Sequence, residues 1–277
     1  MGMSIGENMR TRELVMDLYG DYLRYLGGEA RLAVLTELLG VFDVEPATTR
    51  VTLSRMKREG WFETRRYGRE ISYLASEKMM NTLDEGRTRI FEPAIAPWGG
   101  RWTMLQMAAP PTAKEDRQKF QRMLSWRGFA QLYETTWISP RAGREAIIQS
   151  CFRRGWEADV FTFWTGDLDR DRELAKRCWD LTDLHEGYKR FVDAWESWSH
   201  RDLATVSGDE ALRARVLLVH EFRGYLLSDP LLPRALCPVG YPSTEAFRVF
   251  VNIHQRLSDL ATARVSDLVF PEGGDSH

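Results

Sequence analysis

Residues 11–74 contain three helical patterns in a row and then two short strand-like runs, and this order constrains the fold more than any other feature. The first pattern begins at Thr11 and repeats apolar residues every three or four positions up to a Gly-Gly pair at 27–28. The second covers residues 31–42 and places leucines along one side. Three helices followed by a β-hairpin are the element order of a winged helix-turn-helix, so we expect this fold near the N-terminus.

The third helix is predicted from Pro46 to Glu59. Proline suits the first turn of a helix because its missing N–H has no intrahelical partner there, and Gly60 ends the helix. One face of this helix carries the residues expected to pack on the first two helices, which are Thr49, Thr52, Leu53 and Met56. The opposite face carries small, hydroxyl and arginine side chains, which are Ala47, Val51, Ser54 and Arg58, with Arg50 and Arg55 beside them.

The strand-like runs cover residues 61–66 and 70–74, and the turn Tyr67-Gly68-Arg69 separates them. Residues 46–74 hold seven Arg or Lys against three acids, so this segment carries +4, whereas the whole chain carries −2. The positive charge is therefore concentrated in one island on an acidic body. Such a distribution indicates one localised contact with phosphates rather than a general affinity for nucleic acids.

The basic island predicts binding to double-stranded DNA. In the major groove a valine can touch a thymine methyl group and an arginine can pair with guanine or phosphate, while hairpin arginines along the backbone add affinity more than sequence preference. The residues predicted to contact DNA are Thr48, Arg50, Val51, Ser54, Arg55, Arg58, Arg65, Arg66 and Arg69. Two alternatives stay open, namely a basic face that is merely solvated and a winged helix that docks a protein.

A second domain is expected after a linker at residues 91–100. Strands and helices alternate there, in an order that fits a ferredoxin-like α/β domain. The predicted elements are a strand at 102–108, a helix at 114–126, a strand at 129–138, a helix at 143–154 and a strand at 160–164. Helices dominate the rest of the chain, at about 183–199, 209–227 and 244–262.

The sequence thus predicts an α+β protein with three consecutive domains. We expect a winged helix-turn-helix with a trailing helix at residues 1–92 and a ferredoxin-like middle domain at 93–172. A mainly helical domain is expected at 173–277.

Several short motifs, in order along nearly the whole chain, resemble the PaaX family of phenylacetate-pathway repressors. They are Met16-Asp17-Leu18-Tyr19-Gly20-Asp21-Tyr22 with Gly27-Gly28, Arg50-Val51-Thr52-Leu53-Ser54-Arg55-Met56 with Glu59-Gly60-Trp61, Trp98-Gly99-Gly100-Arg101-Trp102, Trp137-Ile138-Ser139-Pro140-Arg141, and Leu218-Val219-His220-Glu221-Phe222-Arg223 followed by Asp229-Pro230-Leu231-Leu232-Pro233. The resemblance implies a homodimeric repressor of an aromatic-acid catabolic operon. It further implies that residues 173–277 sense a small-molecule effector and form the dimer. This effector, an aryl-CoA thioester such as phenylacetyl-CoA, would release the repressor from DNA.

The C-terminal part offers a candidate effector site on and near an apolar helix. His220 and Arg223 share a face of this helix, and Arg215 could join them in meeting phosphates or a carboxylate, while Trp179 could contact an aryl ring. The alternative is a buried ion-pair network that fixes the helix against the turn at Asp229-Pro230. We favour this alternative, because an Asp-Pro pair after a helix is foremost a stop signal.

Enzymatic, metal-binding and membrane functions receive little support from the sequence. Phosphate-binding glycine loops, nucleophile elbows and histidine pairs with metal spacing are absent from it, so we expect no cofactor and no metal. The alternating Asp167, Asp169 and Asp171 are expected to form a solvated acidic loop, because a calcium loop would need further ligands. Three scattered cysteines and short apolar runs favour the cytoplasm and exclude a membrane span. A CoA-linked hydrolase and a nuclease are the least favoured alternatives.

Overall fold

The computed structural model describes residues 10–92, 97–109, 113–141, 148–149, 151 and 156–270. These residues form two compact units that do not follow the chain order. The first unit contains the described residues of 1–92, 189–224 and 244–277, and the second contains those of 93–188 and 225–243. The division into three consecutive domains stays a prediction, and the C-terminal third contributes to both spatial units.

The N-terminal part of the first unit is a winged helix-turn-helix, as predicted. Its elements are α1 (Thr11–Asp21), β1 (Glu29–Arg31), α2 (Leu32–Gly40), α3 (Pro46–Arg58), β2 (Phe62–Tyr67), β3 (Glu70–Ala75) and α4 (Glu77–Phe91). The three strands form an antiparallel sheet in the order β1-β3-β2. Buried side chains of α1, α2 and α3 form the core under this sheet, including Leu18, Leu38 and Leu53, none of which has any exposed surface.

Two local details of this part were not predicted. The first helix does not run on to residue 26, because Tyr22 leaves helical geometry and a 3₁₀ turn covers Leu23–Leu26. The strand β1 follows the Gly-Gly pair and pairs with β3, with Ala30 opposite Tyr73. At three residues β1 is too short to show the alternation of apolar and polar residues by which strands are recognised.

The remaining described helices are α5 (Lys114–Trp126), α6 (Leu168–Cys178), α7 (Thr182–Trp195), α8 (Gly208–Ser228), α9 (Ser243–Arg256) and α10 (Ser258–Val269). A single helix was predicted at 244–262, but the structure divides this stretch into α9 and α10 at Leu257. The two halves share one apolar periodicity, which hides the break from the sequence. Among the described residues, no helix combines the length and the apolar character needed to cross a membrane.

The second unit contains an antiparallel sheet of four strands, namely β4 (Trp102–Met107), β5 (Ala130–Tyr133), β6 (Thr136–Ser139) and β7 (Ala158–Phe163). Their order in the sheet is β5-β6-β4-β7, which is the order of a ferredoxin-like fold and confirms that prediction. The single strand predicted at 129–138 was wrong, because a tight turn at residues 134–135 makes it a hairpin. No glycine or proline marks this turn in the sequence. The helix predicted at 143–154 lies outside the described residues, apart from 148, 149 and 151.

Both faces of this sheet are covered. On one face Leu105 and Trp137 pack with Phe120 of α5, whose ring lies 5.0 Å from that of Trp137 in an edge-to-face contact. On the other face Trp102 and Ile138 pack with Ala175 of α6 and with leucines between α8 and α9. Successive residues of a strand point to opposite faces, so neighbouring side chains such as Trp137 and Ile138 enter different cores.

The predicted acidic loop at residues 167–171 was wrong. Asp167 is instead the N-cap of α6 and accepts a hydrogen bond from the backbone N–H of Asp169 at 2.9 Å. Asp171 lies within the helix and is only 3% exposed. Its carboxylate accepts hydrogen bonds from the indole N–H groups of Trp98 and Trp102, at 3.1 and 2.7 Å. Burial with two indole donors makes Asp171 part of the packing of the second unit.

Candidate nucleic-acid interface

The inward face of α3 is the one that the helical spacing predicted. Thr49, Leu53 and Met56 are buried, and the helix packs on α1 and α2 through them. Pro46 occupies the first turn, preceded by the N-cap Glu45 in an extended conformation. The C-terminal end carries Arg55, Lys57 and Arg58, whose positive charges interact favourably with the helix dipole.

The outward face of α3 is open to solvent. Its exposed residues are Ala47, Thr48, Arg50, Val51, Ser54, Arg55, Lys57 and Arg58. The side chain of Val51 is 70% exposed, although valine is usually buried. This face therefore combines two apolar side chains, two hydroxyl groups and several cations. Those are the groups that read base edges and phosphates in a major groove.

The arginines of α3 differ in their partners. Arg55 donates to the carboxylate of Glu59 one turn later, at 3.0 Å, and this hydrogen bond lowers the pKa of Glu59. Arg50 and Arg58 have no ion-pair partner among the residues that the structure describes. Their charge is therefore available to an external anion, whereas an anion that takes Arg55 must compete with Glu59.

The hairpin of β2 and β3 carries the other predicted contacts. Arg65 forms an ion pair with Glu29 of β1 at 3.1 Å, and a hydrogen bond with Tyr67 raises the pKa of Arg65. Arg66 and Arg69 are exposed, and in the described part of the chain neither has an acidic partner. Gly68 forms the turn with a φ of 62°, which other residues rarely adopt. The hairpin thus presents two uncompensated cations at its tip.

The predicted effector residues of α8 face the winged helix. Arg223 meets the carboxylate of Asp17 in α1 at 2.6 Å, and Nδ1 of His220 lies 3.3 Å from the same carboxylate. Arg215 lies 3.3 Å from the carboxylate of Asp21, one turn further along α1. The buried ion-pair network was thus expected, but its position was wrong, since it joins α8 to α1 and not to the turn at residues 229–230.

Three members of this network were missed, namely Asp17, Asp21 and His254. Nε2 of His254 in α9 lies 3.1 Å from the carboxylate of Asp21. The side chain of Asp17 is only 4% exposed, and this burial raises its pKa despite the nearby cations. A signal was present in the sequence, because both aspartates interrupt the apolar face of the first helix. A charge on a face that must be buried requires a partner from elsewhere in the fold.

A further contact joins the same two parts of the first unit. Arg213 donates to the carboxylate of Asp43 and to the backbone oxygen of Val41, both at 2.8 Å. Both acceptors lie in the turn between α2 and α3. The helix α8 therefore contacts α1 and also the segment that leads into the outward-facing helix.

Trp179 lies apart from the three residues with which it was grouped. It belongs to the second unit and stacks on Trp102, with ring centroids 6.2 Å apart and planes within 19°. Arg215, His220 and Arg223 belong to the first unit. The carboxylate of Asp229, in the turn after α8, accepts hydrogen bonds from Tyr188 at 2.8 Å and Tyr241 at 3.3 Å. In the described part of the chain, no group of acids, histidines and cysteines is arranged to hold a metal ion.

Three family descriptions match consecutive parts of the chain. Residues 10–79 match the PaaX-like protein family, residues 95–175 the PaaX protein central Cas2-like domain, and residues 179–267 the PaaX-like protein C-terminal domain. The chain is 28% identical over 265 residues to the "Transcriptional repressor PaaX" of Escherichia coli (strain K12). That alignment covers 92% of this chain and 82% of the relative.

One solved structure shares the fold over most of its length. The uncharacterized protein Rv0674 from Mycobacterium tuberculosis superimposes with a TM-score of 0.64, covering 91% of this chain and 97% of that chain. The two sequences are 20% identical, so this likeness concerns the fold alone.

Proposed function

Because this chain belongs to the PaaX family, we propose that it is a transcriptional repressor that binds double-stranded operator DNA through α3 and the β2–β3 hairpin. The observation that carries the proposal is the division of α3 into a buried face of Thr49, Leu53 and Met56 and an exposed face. The exposed face presents Val51 together with arginines that have no acidic partner among the described residues. Its relative in E. coli is named a transcriptional repressor, which supports a regulator rather than an enzyme.

The proposed DNA contacts divide into two kinds. Thr48, Arg50, Val51, Ser54, Arg55 and Arg58 enter the major groove, where they can read base edges. Arg65, Arg66 and Arg69 lie along the adjacent backbone and supply affinity that depends little on sequence. A homodimer would present two α3 helices to a palindromic operator, with half-sites separated by an integral number of turns of about 34 Å each. Such a repressor acts in the cytoplasm, where the DNA is.

The regulated genes and the effector follow from the family resemblance. We propose that the operon encodes breakdown of an aromatic acid such as phenylacetate, and that an aryl-CoA thioester releases the repressor. The effector must bind the released form more tightly than the DNA-bound form, since equal affinity for both would shift nothing. Arg215, His220, Arg223 and Trp179 stay predictions as effector contacts.

The ion pairs between α1 and α8 suggest how an effector bound at α8 would weaken the binding of DNA at α3. Arg215 and Arg223 hold Asp21 and Asp17 of the winged helix, so an anionic effector that takes these arginines must displace the aspartates. Displacement would loosen α1, on which α3 packs. Binding of the effector at α8 would then weaken binding of the operator at α3, although the two ligands occupy different surfaces.

The test is a gel-shift assay with duplexes from the promoters beside this gene and beside aromatic-degradation genes. We expect the unaltered protein to shift at least one duplex and the double variant Arg50→Ala/Arg58→Ala to bind it at least tenfold more weakly. Arg248→Ala serves as a control, because this exposed arginine of α9 lies on another element and forms an ion pair with Glu245 of its own helix. Equal binding by the double variant and the control would refute the assignment of α3.

A further inference from the structure

A cluster of cations surrounds Trp61 at the end of α3. The carboxylate of Glu59 accepts hydrogen bonds from Arg12 of α1 at 2.7 Å, from Arg55 at 3.0 Å and from the Trp61 indole at 3.3 Å. Lys78 of α4 places its ammonium 4.2 Å from the centre of the Trp61 ring, and the guanidinium of Arg12 lies 5.1 Å from that centre. We call Arg12, Arg55, Glu59, Trp61 and Lys78 the Trp61 cluster.

The Trp61 cluster carries more positive than negative charge. Among the described residues, Arg12 and Arg55 both pair with the carboxylate of Glu59, whereas Lys78 has no acid within ion-pair distance. The ammonium of Lys78 donates one of its three N–H groups to the backbone oxygen of Glu59 at 2.8 Å. This hydrogen bond leaves the positive charge of Lys78 without a neutralising anion. The cluster therefore keeps a net charge of about +2 by this count of its formal charges.

The cations of the cluster are accessible and held in place. The side chains of Arg12 and Arg55 are 42% and 72% exposed, and Lys78 is exposed as well. Contact with an aromatic face holds a cation without neutralising it, which reduces the entropy lost when an anion binds. Neither Arg12 nor Lys78 belongs to the basic island of residues 46–74, so only the fold places them beside it.

The position of the cluster relates it to the proposed DNA surface. Arg55 is a member of both, since it lies on the exposed side of α3 and pairs with Glu59. The cluster thus continues the exposed face of α3 towards α1 and α4, on the side of the helix that Arg55 marks. A duplex lying against α3 would carry its phosphates past these side chains.

We propose that Arg12 and Lys78 bind backbone phosphates of the DNA that flanks the bases read by α3. This inference rests on the proposed function and adds a second phosphate-binding surface to it. Guanidinium and ammonium groups are the side chains that proteins use for phosphate, and both keep free donors here. The competing explanation is that Arg12 and Lys78 only hold Trp61 and Glu59 in place.

Salt dependence separates the two explanations. Binding of a mixed-sequence duplex of about 30 base pairs is measured by fluorescence anisotropy across a series of salt concentrations, for the unaltered protein and for Arg12→Ala/Lys78→Ala. Each lost phosphate contact reduces the slope of log affinity against log salt by about 0.9, so the double variant should lose about 1.8. A slope equal to that of the unaltered protein would overturn the proposal.

Matched variants control for charge and for folding. Arg248→Ala removes one exposed positive charge from α9 and should keep the original slope. Arg12→Lys and Lys78→Arg retain the charge and should also keep the original slope. If these variants reduced the slope as much as the alanine variant does, the loss would be due to a structural role of the two side chains and the proposal would be refuted. If Arg12→Ala/Lys78→Ala does not fold by circular dichroism, Lys78→Gln alone replaces it, since Lys78 forms no ion pair in the described structure, with an expected loss of about 0.9.

The result also distinguishes this inference from the proposed function. If Arg50→Ala/Arg58→Ala weakens binding while Arg12→Ala/Lys78→Ala leaves the slope unchanged, only the second phosphate surface is refuted. If the unaltered protein shows no salt-dependent binding to any duplex, both proposals fail together.

Discussion

The arginines of the α3 face and those of α8 are the same side chain in opposite surroundings. Arg50 and Arg58 are exposed and lack an acidic partner among the described residues. Arg215 and Arg223, in contrast, are largely buried and lie within 3.3 and 2.6 Å of an aspartate of α1. The first pair leaves its charge available outside the protein, and the second pair uses its charge within it.

This difference shows that arginines on two helices can serve two separate purposes. Those of α3 are available to bind an external ligand, and those of α8 hold parts of the protein together. A cation without an internal anion gains most from phosphate, because binding releases the counterions condensed on DNA. A buried ion pair adds little net stability, because desolvation offsets the attraction, but losing one partner is costly. We infer that the α8 arginines determine how the winged helix is attached to α8 and α9, while the α3 arginines determine what it binds.

The largest expected difference between the α8 and the α3 arginines is in their contribution to the stability of the fold. Arg223→Ala leaves the buried carboxylate of Asp17 without its closest cation, and we expect the free energy of unfolding to fall by about 3 kcal/mol. Urea denaturation followed by circular dichroism measures the change. The matched variant Arg58→Ala removes an exposed arginine and should cost less than about 0.5 kcal/mol. Similar losses in the two variants would remove the distinction between the two regions.

A smaller effect sharpens the comparison within the DNA-binding surface. Arg66→Ala and Arg69→Ala at the hairpin should weaken binding to every duplex by a similar factor and reduce the salt slope by about 0.9 each. Arg50→Ala should instead change the preference between duplexes, by about 1–3 kcal/mol at the base pair that it contacts. Anisotropy titrations with a panel of single-base variants of the operator measure both. A change of preference in the hairpin variants would contradict the proposed division of roles.

The smallest effect is a difference in pH dependence between two acids. Burial raises the pKa of Asp17 above its ordinary value of 3.8, so the stability it contributes is present below pH 3.8 and is lost as the pH rises through the raised pKa. The hydrogen bond from Arg55 lowers the pKa of Glu59 below 4.5, so its contribution is present above pH 4.5 and is lost as the pH falls.

Urea denaturation over a pH series measures this difference. Relative to Asp17→Asn, the unaltered protein should lose stability as the pH rises above 3.8, and relative to Glu59→Gln it should lose stability as the pH falls below 4.5. Because the side chain of Glu59 is 32% exposed and that of Asp17 only 4%, salt should weaken the effect of Glu59 more than that of Asp17. If the stability difference changed with pH in the same direction for Asp17→Asn and for Glu59→Gln, the two acids would not occupy opposite environments.

The winged helix could be predicted because its signals are local. The spacing of Thr49, Leu53 and Met56 identifies the buried face of α3, and the spacing of Val51 and Arg58 identifies the exposed face, since helix geometry fixes both within two turns. The order of strands and helices was also sufficient to predict the ferredoxin-like domain. Local signals failed where two elements meet without a glycine or proline, as between β5 and β6 and at Leu257 between α9 and α10.

The predicted effector residues could not be understood from local signals. His220 and Asp17 are separated by 203 positions, and His254 and Asp21 by 233, so nothing in the neighbourhood of either residue identifies its partner. The sequence could show only that charges stand on apolar helix faces. It could not show that Trp179 belongs to a different unit from Arg215.

The amino-acid sequence by itself determined the helix that carries the basic face, the direction in which its arginines point and the hairpin that follows it. These properties depend on the 3.6-residue period and on turn residues, which act over a few positions. The tertiary structure decided which arginines keep their charge for an external partner, because only folding brings Asp17, Asp21 and Glu59 to some cations and leaves Arg50 and Arg58 without an acid among the described residues.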